Sequence, residues 1–91
     1  MQKNSYLITG GTGSFGSNFI EKLIKSNKKI SKLVIFSRDE LKQSIMASKY
    51  PLKKFKFIRF FLGDVRDYER LLTATKDIEN IIHAAALKQV P

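Results

Sequence analysis

The sequence predicts an α/β fold: a parallel sheet wound on both faces by helices, with its strands in the order 3-2-1-4. Three observations carry this. Short apolar, β-prone runs alternate with stretches of helical periodicity along the 91 residues. The first strand passes into the first helix through a glycine-rich turn, Thr9-Gly10-Gly11-Thr12-Gly13-Ser14-Phe15-Gly16. No linker, repeat or low-complexity segment breaks the alternation. Strand-helix-strand succession implies right-handed crossovers and hence parallel pairing.

Tyr6-Leu7-Ile8-Thr9 is short, β-prone and bounded by glycine, and reads as a buried strand. From Ser14 to Lys25 the period changes: Phe19, Ile20, Leu23 and Ile24 recur at helical spacing, with Glu21, Lys22 and Lys25 on the other face. Lys32 to Phe36 is a continuous apolar strand of the kind buried on both faces. Ser37 followed by Glu40 has the spacing of a capping box and predicts a second helix from Ser37, with Leu41 and Ile45 buried and Met46 beside them. Pro51 ends that region. The third strand is expected over 55–62 and a short helix over 68–74 carrying Leu71 and Leu72. The fourth strand is expected over 78–84.

Each glycine of the turn has its own task. Gly10 leaves the strand, where a residue without Cβ turns freely into positive φ. Gly13 lets the backbone approach a pyrophosphate, so that the unpaired N–H groups of the helix start can donate to it. Gly16 lets the helix pack on the strand. The spacing is Gly-x-x-Gly-x-x-Gly, not the commoner Gly-x-Gly-x-x-Gly of dinucleotide sites. In the 3-2-1-4 order the chain reverses direction between strands 1 and 4, and ligands bind outside the carboxyl ends there. Four segments converge on that edge: 10–16, 37–42, 63–65 and 83–88.

Composition bounds the rest. Ninety-one residues make one small domain. The absence of cysteine fits a reducing cytoplasm, and Met1 to Ser5 run into the first strand without a separate apolar leader segment. No stretch reaches transmembrane length. The net charge of +9 raises nucleic-acid or anionic-membrane binding. Its distribution argues against both, because Lys22, Lys25, Lys28, Lys29 and Lys32 follow the first helix and its exit, while Lys49, Lys53, Lys54 and Lys56 surround a second connection. Those are solvated surfaces, and Phe55, Phe57, Phe60 and Phe61 read as strand residues. No metal site is expected.

Four segments carry a family resemblance: Thr9 to Gly16, Ser37-Arg38-Asp39-Glu40-Leu41-Lys42-Gln43, Gly63-Asp64-Val65-Arg66-Asp67, and His83-Ala84-Ala85-Ala86-Leu87-Lys88-Gln89-Val90-Pro91. The chain resembles the N-terminal part of an extended short-chain dehydrogenase/reductase with a Rossmann domain, and more narrowly the UDP-N-acetylglucosamine 4,6-dehydratase (inverting) group of polysaccharide biosynthesis. The first and third segments are superfamily-wide; the second and fourth are narrower. The resemblance spans the whole chain and only about the first third of such an enzyme.

At the cofactor, an NAD site places a carboxylate after the second strand, whereas an NADP site offers an arginine to the 2′-phosphate. Here the strand ends Phe36-Ser37-Arg38. Arg38 can pair with a phosphate, Ser37 can add a hydroxyl, and Lys42 lies one turn further on the same face. These favour NADP, with Asp39 and Glu40 the opposing feature, since facing carboxylates would repel the phosphate. The expected cofactor-binding residues are Gly10, Thr12, Gly13, Ser14, Phe15 and Gly16 of the turn, then Ser37, Arg38, Asp39 and Lys42. Asp64 and Val65 follow the third strand, where the family holds adenine; from sequence alone Asp64 reads nearly as well as a turn or cap carboxylate. Ala84, Ala85 and Ala86 leave room for the pyrophosphate and the nicotinamide-side ribose. The resemblance implies that Lys88 helps bind the sugar nucleotide; the alternative is a plain solvated loop lysine.

His83, the only histidine, has no carboxylate near it in sequence and reads as a hydrogen-bonded structural residue in preference to a general base. Hydride chemistry in the superfamily uses a tyrosine and a lysine four apart on one helix. Tyr50 and Lys54 have that spacing, but Pro51 disrupts the helix they would need. No catalytic residue is therefore expected here, and the 91-residue chain alone is expected to be inactive. For the complete protein the resemblance implies oxidation of UDP-N-acetylglucosamine at C4 by bound NADP, loss of water between C5 and C6, and hydride return to C6 with inversion at C5. A UDP-sugar 4-epimerase or related dehydratase, and a non-catalytic NADP-binding module, are the alternatives. The open edge of the fourth strand with Ile81 and Ile82 predicts association, and the complete protein is expected to be a homo-oligomer.

Overall fold

A computed structural model describes residues 4–10, 12–26 and 29–84. The elements alternate as expected: β1 (Ser5–Thr9), α1 (Ser14–Lys25), β2 (Lys32–Ser37), α2 (Glu40–Lys49), β3 (Ile58–Leu62), α3 (Tyr68–Ala74) and β4 (Asn80–His83). They form one four-stranded sheet in the order β3-β2-β1-β4. All three pairings are parallel, with Ile8 opposite Ile35 and Ile82, and Ile35 opposite Phe60.

Side-chain alternation sends the central strands into two cores. Tyr6, Ile8, Leu33, Ile35 and Ile58 pack with Ile20 and Leu23 of α1 and with Met46 and Tyr50 at α2. On the opposite face Leu7, Val34 and Phe36 pack with Ala74 of α3 and with Ile78. Helices α1 and α2 thus cover one face and α3 the other, the doubly wound arrangement. Burial of β1 on both faces explains why its sequence reads as an unbroken apolar run. Ile81, opposite Leu7 on edge strand β4, is 48 % exposed.

Several boundaries differ from expectation. The Ser37/Glu40 capping box does not form. Ser37 is the last residue of β2, paired with Leu62, and its carbonyl accepts from Gly63 N–H at 2.9 Å. Pairing on β3 holds Ser37 in the sheet, and Asp39 caps α2 instead, accepting from Lys42 N–H at 3.0 Å. The later start changes which side faces inward: Leu41 and Ile45 are 70 % and 64 % exposed, while Gln43 and Met46 are buried. β3 begins at Ile58, because the chain after Pro51 closes turns in which Lys54 and Phe55 N–H both donate to the Pro51 carbonyl. Phe55 and Phe57 therefore pack beside the core from a loop, edge to face with one another at 6.2 Å. β4 is likewise shorter than expected, with Ile78 buried ahead of it.

The described lysines of the two basic groups are exposed, apart from half-buried Lys32; Lys28 lies outside the described residues. Tyr50 caps the C-terminus of α2, buried against Phe55 at 5.2 Å between ring centroids. Among the described residues, no helix is long and apolar enough to cross a membrane.

Candidate functional site

At the carboxyl end of β1 the chain turns through Gly10, whose φ of 67° is the positive-φ conformation its position demanded. Gly10 N–H donates to the Phe36 carbonyl at 2.9 Å, and Gly13 N–H to the Gly10 carbonyl at 3.1 Å, closing the turn. Gly13 is the N-cap of α1, with φ −74° and ψ 173°. Among the described residues, no side chain caps this helix, and no acidic residue stands in its first turn. In contrast α2 and α3 are capped by the carboxylates of Asp39 and Asp67. Among the described residues, the helix end that faces the sheet's switch point is the one with no side-chain cap, the arrangement that suits an external anion.

The exit of β2 supplies the second wall. Ser37 is buried, and its Oγ accepts from Gln43 Nε2 at 3.0 Å. Gln43 Nε2 also donates to the carbonyls of Ser37 at 3.2 Å and of Phe61 at 3.0 Å, so α2 is tied to the ends of both β2 and β3. Arg38 projects from the strand end with its side chain 74 % exposed. Asp39 turns its carboxylate onto the α2 N-terminus. Lys42 stands on the first turn of α2.

The exit of β3 supplies the third wall. A Cβ on Gly63 would lie 2.9 Å from Phe36 Cζ and 3.0 Å from Arg70 Cγ, so only glycine fits beneath the Phe36 ring. Asp64 follows. Its Oδ1 accepts from Arg66 N–H at 2.9 Å, its Oδ2 from Arg66 Nη2 at 2.8 Å and from Arg38 Nη1 at 3.4 Å. The hydrogen bonds from the Arg66 side chain and then from its backbone hold the Asp64 carboxyl well below its ordinary 3.8, against the opposing effect of desolvation. The carboxylate is ionised at neutral pH and raises Arg66 in return.

These walls enclose a cleft of about 470 Å³ at the carboxyl edge of the sheet, within the range of small-ligand sites. Its side-chain charges are Arg38, Lys42 and Arg66 against Asp39 and Asp64. With the uncapped α1 N-terminus, that excess of cationic donors suits a phosphorylated ligand.

The pattern of a family described as polysaccharide biosynthesis protein matches residues 6–91. The chain belongs to this family. It is 52 % identical over 89 residues to a UDP-N-acetylglucosamine 4,6-dehydratase (inverting) of Campylobacter jejuni, covering 98 % of this chain and 25 % of that protein. It is 49 % identical over 87 residues to a UDP-glucose 4-epimerase of Rickettsia bellii, covering 93 % of this chain and 25 % of that one. Among solved structures it is similar to the X-ray structure of Pen from Bacillus thuringiensis, with a TM-score of 0.81 and 30 % identity over 98 % of this chain and 26 % of the other. The chain thus spans about a quarter of the length of the relatives it matches.

Within this member of the polysaccharide biosynthesis family, most of the expected cofactor residues meet in one place. Gly10, Thr12 and Gly13 line the cleft from the turn, Ser37, Arg38, Asp39 and Lys42 from β2 and α2, and Asp64 and Val65 from the β3 exit. Ser14, Phe15, Gly16 and Ala84 do not line it. Ser14 is exposed on the first turn of α1; Phe15 is 43 % exposed, tilted against Phe19 at 6.5 Å; Gly16 is buried on the inner face of α1. Ala84 is buried in the α1/α2-side core. Ala85, Ala86 and Lys88 lie outside the described residues, as does Gly11. Gly63, expected on this edge with the 63–65 segment, lines the cleft as well, and Phe36 and Arg66 line it without having been expected to. Arg66 directly follows Asp64-Val65 in sequence, which was the available signal. His83 Nδ1 lies 3.0 Å from the buried Thr9 Oγ1, the hydrogen-bonded role expected of it.

Proposed function

We propose that this cleft is the adenosine and pyrophosphate half of an NADP site, and that the complete protein is a UDP-N-acetylglucosamine 4,6-dehydratase acting with inversion at C5. The observation that carries the cofactor assignment is Arg38 at the end of β2, exposed beside Lys42 on the cleft wall, where an NAD site would carry a carboxylate. Asp39 does not oppose this, because its carboxylate is committed to the α2 N-terminus. In this reading Arg38, Lys42 and Ser37 hold the 2′-phosphate, the α1 N-terminus with Gly13 holds the pyrophosphate, and Asp64 with Val65 borders the adenine. A bound nicotinamide supplies hydride chemistry; the residues described here bind and orient the cofactor. Substrate class rests on the 52 % identity to the Campylobacter dehydratase. The half-exposed Ile81 on β4 supports contacts beyond the described residues, and the complete protein is read as a cytoplasmic homo-oligomer.

The identity to a UDP-glucose 4-epimerase favours a second reading in which the sugar is epimerised at C4. One experiment separates them. The full-length protein, loaded with NADP and incubated with UDP-N-acetylglucosamine, is expected to yield a product lighter by one water in the mass spectrum. An isomeric product of unchanged mass, from this sugar nucleotide or from UDP-glucose offered in a second incubation, supports the epimerase, and no conversion of either with NADP bound overturns both.

A further inference from the structure

Asp64 is shared unequally by two arginines. Arg66 engages both carboxylate oxygens, through Nη2 at 2.8 Å, through Nε at 3.2 and 3.3 Å, and through its backbone N–H at 2.9 Å. Arg38 reaches only Oδ2, through Nη1 at 3.4 Å. A carboxylate already saturated by one guanidinium has little left to offer a second. Arg38, which lines the cleft, thus makes only this one long bond to Asp64, while Arg66, its side chain 80 % exposed, neutralises the carboxylate that would otherwise claim it.

We infer that Arg66 determines the preference for a 2′-phosphorylated cofactor, acting as a positioning residue: by saturating Asp64 it leaves Arg38 available to the phosphate. The inference rests on reading the cleft as an NADP site. Without Arg66, Asp64 can pair with Arg38 through two bonds, and its uncompensated charge repels a phosphate at the same place. Both effects weaken 2′-phosphate binding and leave an unphosphorylated adenosine ligand nearly unaffected.

The test uses full-length protein freed of cofactor, with adenosine 2′,5′-bisphosphate and 5′-AMP as probes in calorimetry. The wild-type protein binds the bisphosphate more tightly; if it does not, the NADP reading itself fails. Arg66→Ala is expected to lower the ratio of the two affinities about two- to fivefold, the range of an exposed ion pair. Adding Asp64→Asn to Arg66→Ala is expected to restore the ratio, since loss of any adenine contact affects both probes alike. An unchanged ratio in Arg66→Ala overturns the inference, with 5′-AMP binding reporting an intact fold. A lowered ratio that Asp64→Asn does not restore also overturns it, because Arg66 then touches the phosphate itself.

Discussion

The side-chain amide of Gln43 donates to the main-chain carbonyl of Phe61 at 3.0 Å, fastening α2 to edge strand β3. The same nitrogen serves both the carbonyl and the hydroxyl of Ser37. One buried side chain therefore holds together the two strand ends that carry Arg38 and Asp64. Gln43→Met keeps the volume and removes the donors, leaving strand-end acceptors without their partner. We expect a loss of about 1–3 kcal/mol, read by denaturant unfolding of the full-length protein, together with weaker cofactor binding. Unchanged stability would mean that water replaces the amide.

Gly10 and Gly13 are predicted to fail differently. Gly10 sits at φ 67°, so Gly10→Ala forces an L-residue into the left-handed region at a cost of about 1–2 kcal/mol. Gly13 has an extended conformation open to any residue. Gly13→Ala should therefore cost less stability and lose more NADP affinity, since its Cβ intrudes where the pyrophosphate approaches. Thermal unfolding without ligand and titration with NADP separate the two; equal stability losses would count against the assignment.

The strand order and the cleft's glycine, arginine and aspartate positions were legible because they depend on local chemistry: apolar runs, a glycine that must take positive φ, polar residues directly after strands. What was not legible depended on registry between distant segments. Ser37 looks like a cap until β3 is known to pair with it, and once it joins the sheet the helix starts later and presents Gln43 instead of Leu41 to the interior. A buried glutamine has no periodic signature, so its role emerges only when Phe61 is brought alongside. Arg66 was hidden for a similar reason, because its importance lies in a carboxylate shared with Arg38, 28 positions earlier by their numbering.

The Asp64 carboxyl predicts a pH dependence with a definite sign. Its folded-state value is depressed below 3.8 by Arg66, so its contribution to stability is present above 3.8 and is lost as pH falls through the lower folded value. The stability difference between wild type and Asp64→Asn should be constant around neutrality and should narrow only below 3.8. Carbon-detected NMR titration of the carboxyl checks it directly, and titration at the ordinary value would show that the Arg66 pairing does not persist in solution.

His83 ends β4 beside the reacting edge of the sheet, yet its Nδ1 is occupied by the Thr9 hydroxyl of the neighbouring strand. A general base contributes about 10²–10⁴-fold to rate, and a strand-joining histidine contributes mainly a hydrogen bond worth about 1 kcal/mol. In the full-length protein, His83→Asn should leave turnover within about tenfold of wild type, with no loss of an acid limb in the pH–rate profile. Thr9→Val should lower stability by about 1 kcal/mol and change turnover no more than His83→Asn does. A far larger rate loss in His83→Asn alone would assign the imidazole a direct part in proton transfer, because the asparagine amide can still reach the Thr9 hydroxyl and only the ring is lost, whereas Thr9→Val removes the strand-to-strand contact itself.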